Sequence, residues 1–444
     1  MKMSSIHLPI LPKDKEYEEY ISAILQSNGN FIERNIIERT EEGGIHTLEL
    51  DIIVTDYKNR KPNFQIIEVK SGAWSFPDIF KIRGYMDYLH VDSGFLIVNE
   101  QKRIIGPYEK ISYELGIQIK NIPNYSKTTE IIHNDIENNN ISVIDIDVWR
   151  YSYWLERNLL LKLNEIKKVD TSKKCFKILE DYYFELNNDI FFTKNIILKL
   201  IKLFGTFKEY PNLSSKCANE LEGNRFNDDY QELPKNIFKD TYFDCHFNIV
   251  QISTFIENRA RLAIMKNAID YKLFKNNLTD QDPKYAKILK ILGFSHEEEL
   301  LRFLPQQFKD GLDKISEHKY YHLYPIFWQW FLWVFGGFLL IDHLEKEYEI
   351  LSLKTGIPLD EIPNALDAYN LLFPSEGGWY IDLPNTNITA FKMFSVPFRG
   401  LGAFYRRYIY DEIFSIEKIN VGGQFSLNDL KKWNDLAIEI LKWT

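Results

Sequence analysis

Two carboxylates stand inside extended hydrophobic segments that offer charge no evident company. In His46-Thr-Leu-Glu-Leu-Asp-Ile-Ile-Val54, strand alternation sets Leu48, Leu50, Ile52 and Val54 on one face and Glu49, Asp51 and Ile53 on the other, so Asp51 interrupts an apolar run. In Asn63-Phe-Gln-Ile-Ile-Glu-Val-Lys70 the same period groups Phe64, Ile66, Glu68 and Lys70, setting a carboxylate beside an ammonium at the strand's end. If the two strands pair through the turn-forming stretch Asp56 to Pro62, Asp51 and Glu68 converge. Half-buried carboxylates are costly unless a cation neutralises them. Mg²⁺ or Mn²⁺, which take carboxylate oxygens, waters and substrate phosphate, fit that inventory. Lys70 then stands where it can orient or deprotonate an attacking water or steady a pentacovalent phosphate. The chemistry these parts suit is phosphodiester hydrolysis.

The surrounding pattern supplies a frame for that pair. Tyr17, Tyr20, Ile21, Ile24 and Leu25 recur at helical spacing between Lys13 and Asn28, and Gly29 ends the stripe. Extended runs follow over Phe31 to Glu38, His46 to Thr55 and Asn63 to Lys70, then an amphipathic segment from Ser75 to Leu89, then the apolar strand Gly94 to Val98. This predicts an α/β domain of order α-β-β-β-α-β with a mixed central sheet. Residues 121–140 are polar and turn-rich, which puts a domain boundary near Asp145: residues 1–145 form the α/β domain and 146–444 a mostly α-helical one. Helical patterns occur over Tyr153 to Lys168, Lys174 to Glu185, Asn195 to Phe204 and Leu427 to Trp443, without an internal period.

Composition narrows the function class. The 444 residues are 45% hydrophobic and 26% charged, values that exclude wholesale disorder, and the three cysteines, Cys175, Cys217 and Cys245, are too few and scattered for a disulfide framework. The start, with a short apolar run broken by prolines, lacks the pattern of an export signal, so a cytoplasmic location is expected. Net charge is −9. Residues 1–145 carry 16 Lys and Arg against 22 Asp and Glu, and the remainder 38 against 41, so neither part is an electrostatic glove for nucleic acid.

With these residues in view, Leu50-Asp51-Ile52-Ile53 followed by Ile67-Glu68-Val69-Lys70-Ser71-Gly72 resembles the active-site hairpin of the PD-(D/E)XK, or restriction-endonuclease-like, nuclease superfamily. The resemblance covers residues 1 to about 120 and includes the order of elements, with the first acid on the second strand and (D/E)-x-K on the third. It implies metal ligation by Asp51, Glu68 and the Val69 carbonyl, with Lys70 as the catalytic lysine. It also implies that Glu18, on the opening helix, holds water or a second ion, and that Lys81 contacts the phosphate or the catalytic centre. A solvated acidic helix face accounts equally for Glu16, Glu18 and Glu19, and an exposed helix lysine for Lys81. The proline of the family's name is absent before Asp51, as in many members.

The rest of the chain offers less. Cys245-His246 reads best as a buried thiol, since neither a nucleophile's base nor further zinc ligands accompany it. Arg399, Arg406 and Arg407 lie among aromatic residues and are either base-stacking cations or interfacial arginines. Pro325 to Ile341 is an apolar run of 17 residues, expected to be a buried central helix rather than a membrane span. The overall expectation is a Mg²⁺-dependent hydrolase acting on DNA, with RNA as an alternative. A helical domain that senses or docks a protein partner would license it, as in regulated effectors of bacterial antiviral defence. Oligomerisation is compatible with that role, and a membrane partner is not expected. The rival expectation is a non-catalytic protein-binding module that retains the nuclease-like scaffold.

Overall fold

A computed structural model of the chain describes residues 13–39, 45–99, 106–122, 141–142, 144–153, 156–157, 182–207, 249–274, 289–294, 297–340 and 343–373, together with 379–382, 390–393, 405, 414–415 and 418–419. Two compact units divide it. One comprises residues 9–150 and 185–194, and the other takes in 151–184 and 195–444.

The first unit is a mixed five-stranded sheet in the order β1-β2-β3-β4-β5: β1 (Phe31–Arg39), β2 (His46–Asp56), β3 (Asn63–Lys70), β4 (Ser93–Val98) and β5 (Ile117–Asn121). The β1–β2 and β2–β3 pairs are antiparallel, whereas β3–β4 and β4–β5 are parallel. A parallel pair needs a crossover, and the helices α2 (Phe76–Leu89) and α3 (Gly106–Glu114) provide them. Helix α1 (Lys13–Ser27) precedes the sheet and ends at Gly29, whose φ of 79° is the left-handed stop that the sequence announces. The sheet carries a hydrophobic cluster with each of its two main helices. Tyr17 and Ile21 of α1 pack with Ile32, Ile52, Val54, Ile67 and Ile97, and Ile79, Ile82 and Met86 of α2 pack with Ile36, Leu48, Leu50, Ile53, Ile66, Leu96 and Val98. The buried Tyr17 hydroxyl lies 3.1 Å from the carbonyl oxygens of both Val98 and Ile122, donating between them and fastening α1 to the end of β4.

The strict alternation expected for His46 to Val54 does not hold. Leu48 and Leu50 belong to the α2-side cluster and Ile52 and Val54 to the α1-side cluster, so the pleat changes sides at Asp51. The cause lies across the ladder. Asn35, flanked by the pairs Arg34–Ile52 and Ile36–Leu50, has φ of 52°. A left-handed residue, which asparagine tolerates, rotates the strand, and the side chains before and after it exchange faces. Accordingly Ile32 and Ile36 also lie in different clusters.

Two elements of this unit go beyond the expected order: the pair α3–β5, and residues 185–194, which return to it. The helical turn Asp189–Phe192 sits against β1, with the Arg39 amide donating to Asn188 Oδ1 at 3.1 Å and Phe192 beside Tyr88 at 6.4 Å between ring centroids.

The second unit is mainly helical. It contains α4 (Ile196–Phe207), α5 (Ile249–Phe274), α6 (Gln306–Glu317), α7 (Tyr324–Trp333), α8 (Leu344–Thr355) and α9 (Ile362–Leu372). It also holds a three-stranded antiparallel sheet of Phe338–Leu340, Ala390–Met393 and Trp379–Asp382. Pro325 to Ile341 is therefore not one helix: α7 stops at Trp333, and the chain turns through Gly336 and Gly337, at φ of 71° and 77°, into the strand Phe338–Leu340. Both glycines occupy the left-handed region, and the Gly337 amide closes the helix on the Phe331 carbonyl at 3.0 Å. All ten residues of α7 are buried, with Trp328 stacked on Tyr369 of α9 at 4.7 Å and donating its indole N–H to the Ala365 carbonyl at 2.9 Å. Among the described residues no helix is long and apolar enough to cross a membrane. Cys175, Cys217, Cys245-His246, Arg399, Arg406, Arg407, the segment Leu427 to Trp443 and most of Tyr153 to Lys168 and Lys174 to Glu185 lie outside the described residues.

Helices α6 and α9 meet at Gly311. A Cβ added there would stand 1.9 Å from the Leu371 carbonyl oxygen, which is backbone and cannot swing away. Helix propensity alone predicts that Gly311→Ala stabilises the protein. Packing reverses the sign, and we expect Gly311→Ala to destabilise it by about 2–3 kcal/mol, read as a lowered midpoint in urea unfolding followed by far-UV circular dichroism. An unchanged or raised midpoint would show that the helices do not touch there.

Candidate metal and phosphodiester site

The site forms where β2 and β3 part. Their ladder runs from Asp56–Asn63 to Ile52–Ile67 and stops there, whereas β3 stays paired with β4 as far as Lys70–Val98. Asp51 and Glu68 are thus the first residues beyond the last β2–β3 pair. The Val69 amide, which a continuing ladder would have engaged, donates instead to Asp51 Oδ2 at 3.0 Å. Val69, expected to contribute its carbonyl, meets Asp51 through its N–H.

Glu68 is 2% exposed and faces α2. Its Oε1 accepts Lys70 Nζ at 2.7 Å and Lys81 Nζ at 2.6 Å, so two ammonium groups converge on one oxygen. Lys70 also lies 3.7 Å from Asp78 Oδ1. Burial works against the charged form of both lysines, but the hydrogen bond and charge of Glu68 outweigh it, and both pKa values rise. Each lysine is therefore a firm cation in this arrangement, suited to holding an oxyanion rather than to accepting a proton. Lys81 further lies over the Tyr85 ring, 5.3 Å from its centroid.

Asp51 behaves differently. Burial first, then the charge of Glu68 and more weakly that of Glu18, push its carboxyl up to about 7, against the opposing pull of the Val69 amide and Lys81. Glu18, 6% exposed on α1, is held by Lys15 at 3.2 Å through Oε2, while its Oε1 is buried without a hydrogen bond, 3.8 Å from Arg34 Nη2. Asp51, Glu68, Lys70 and Lys81 are thus brought into one constellation, and Glu18 reaches it through its charge. Among the described residues no group of three or more His, Cys, Asp or Glu is arranged to hold a metal ion. The donor set on offer is two carboxylates with the adjoining backbone, the sparse kind that suits Mg²⁺, an ion that keeps several of its waters.

Sequence reasoning missed three supporting groups. Asp78 accepts the Ser75 amide at 2.7 Å at the start of α2 and also faces Lys70; the Ser75-Phe-Pro-Asp78 spacing of a capping box was the available signal. Arg34 and Lys15 attend Glu18. Lys15 sits three residues away on the same helix and was legible, whereas Arg34 arrives only through the fold.

The raised Asp51 pKa gives a sign that can be checked. In chelator-treated protein the group holds its proton more tightly folded than unfolded, so its ionisation subtracts stability as pH rises from about 4 to about 7, and the full loss persists above 7. Asp51→Asn removes the charge and leaves an oxygen for the Val69 amide. We expect that variant to be more stable than the native protein at pH 8, by on the order of 1–3 kcal/mol, with the gain vanishing near pH 4. Urea unfolding at the two pH values measures it, and an equal difference at both would contradict the burial of that charge.

Comparison with protein-family models, with curated proteins and with solved structures found no match for the chain.

Proposed function

We propose that this protein is a Mg²⁺-dependent nuclease (Mn²⁺ substituting) that hydrolyses phosphodiester bonds in DNA, with RNA as the alternative substrate, on a restriction-endonuclease-like domain. The observation that carries the reading is the pairing of Asp51, pushed up to about 7 by burial and by the charge of Glu68, with that buried carboxylate at the point where β2 and β3 separate. Lys70 and Lys81 offset the charge of Glu68 but not that of Asp51, so the pair costs stability unless a further cation comes between the two acids. The run α1-β1-β2-β3-α2-β4, with the first acid on β2 and Glu68-Val69-Lys70 at the end of β3, supports the superfamily assignment.

In this reading Asp51 and Glu68 hold the ion. When bound, Mg²⁺ supplies Lewis acidity that lowers the pKa of water and offsets charge on the phosphate. Lys70, a firm cation beside Glu68, steadies the developing negative charge on phosphate and orients the attacking water through its N–H donors. Lys81 neutralises Glu68 and gives a second contact for phosphate oxygen. Glu18, whose buried Oε1 has Arg34 at 3.8 Å but no hydrogen bond, would accept one from a water. No motor or base-reading motif accompanies these groups, and the chain is acidic, so the mainly helical unit is proposed to sense or dock a protein partner that licenses cleavage. A role as a cytoplasmic antiviral effector rests on analogy with proteins that join this nuclease module to a regulatory part.

Purified protein with Mg²⁺ or Mn²⁺ is to be assayed against single- and double-stranded DNA and RNA, with and without cell extract as a source of partner. Asp51→Ala, Glu68→Ala and Lys70→Ala should each lower cleavage at least a hundredfold, the scale at which one electrostatic group of this kind acts, while retaining the native circular dichroism spectrum. Undiminished cleavage by all three would remove the site assignment. Full-rate cleavage of plasmid by the protein alone would instead remove the requirement for a partner.

A further inference from the structure

Immediately beyond Lys70 the chain builds a contiguous row of aromatic rings. Tyr108, near the start of α3, is edge-on to Trp74 at 6.0 Å and stacked on Phe76 at 5.0 Å with an interplanar angle of 29°. Phe76 in turn meets Phe80, one turn along α2, edge-on at 5.3 Å. Trp74 and Phe76 lean on the α2-side core and are only partly covered, as is Tyr108, and Phe80 is 54% exposed. Packing explains the inner sides of Trp74 and Phe76, but leaves the ring of Phe80 in water. A lone exposed phenylalanine is ordinary, but one that continues a row of three other rings is a surface.

The position of the row identifies its occupant. Trp74 is four residues from Lys70, so at most ~14 Å of backbone separates them. Phe80 adjoins Lys81 in sequence. Among the described residues, Lys70 and Lys81 at this end of the sheet are 28% and 37% exposed, and both are engaged by Glu68. The start of α2 is already occupied by the Asp78 carboxylate, so it does not serve as a phosphate cradle. Cations already held by Glu68, on a chain of net charge −9, gain little from phosphate contacts alone. Neutral π-faces offer the other source of affinity, and only an unpaired base presents one, since duplex bases are stacked inside the helix.

We propose that Trp74, Tyr108, Phe76 and Phe80 form a stacking platform for unpaired nucleobases, which makes single-stranded nucleic acid the substrate class of the adjoining site. This inference rests on the nuclease reading for the role of that site. The binding it describes does not require cleavage. Because every base has a π-face, the platform is tolerant of sequence, and binding through it depends on salt less than binding through phosphates does.

The test uses the full chain with EDTA, so that nothing is cut, and fluorescence anisotropy of three labelled ligands: a 20-nucleotide dT strand, an abasic strand of equal length, and a blunt duplex. The native protein should bind the dT strand more tightly than either other ligand. Phe80→Ala and Phe80→Leu should each weaken dT binding about 5- to 100-fold and leave abasic binding unchanged, and Phe80→Trp should restore it. Leucine keeps apolar bulk against Phe76 but has no ring, so its loss separates stacking from packing. Equal binding of dT and abasic strands by the native protein, or native dT binding by Phe80→Ala, overturns the proposal. A parallel Mg²⁺ cleavage assay of native protein and Asp51→Ala, each with cell extract as the source of partner, tells the two readings apart. Asp51-dependent cleavage without base-dependent binding sinks the platform alone, and base-dependent binding without cleavage by the native protein sinks the nuclease alone.

Discussion

The separation of β2 from β3 after the Ile52–Ile67 pair is the constraint on which the rest of the first unit's chemistry depends. Had the ladder continued, backbone groups would have filled the gap. Because it ends, the Val69 amide takes the Asp51 carboxylate as its acceptor, and Glu68 turns toward α2, where Lys70 and Lys81 meet it. The left-handed Asn35 on β1 belongs to the same event, since it brings about the change of pleat at Asp51, where β2 leaves β3. Backbone irregularity and the placement of the two acids thus share a cause.

The ionic arrangement is uneven. Glu68 receives two cations on one oxygen, whereas Asp51 has one amide and, at greater distance, the field of Lys81. Charge therefore collects on one side of the notch, and Asp51 is left holding a proton near neutral pH. A carboxyl raised to about 7 by burial and a neighbouring carboxylate marks a candidate functional site. Hydrophobic packing of α1 and α2 on the sheet carries the cost.

Much of this unit was legible because its signals are local. Three extended runs, a helical stripe on either side of them and Gly29 as a stop define the order α1-β1-β2-β3-α2-β4, and acids within Ile- and Leu-rich strands mark the candidate site. What escaped were effects that arrive from elsewhere in the chain. The face change at Asp51 depends on Asn35, sixteen residues earlier, and the capture of Glu18 by Arg34 depends on strand placement. Residues 185–194 rejoin this unit through Asn188 and Phe192, contacts that no periodicity announces. In α7 the hydrophobicity of Pro325 to Ile341 suggested one helix, yet Gly336-Gly337 was a visible stop, and its backbone freedom outweighed the apolar side chains on either side.

The central claim is that Asp51 and Glu68 share one divalent cation, and direct binding of Mn²⁺ to the purified chain, followed by electron paramagnetic resonance without nucleic acid, tests it. The account predicts saturable binding of a single ion, weakened at least about tenfold by Glu68→Gln and by Asp51→Asn in protein that remains folded. Binding of equal strength in the native chain and both variants, or no binding by the native chain, would contradict it.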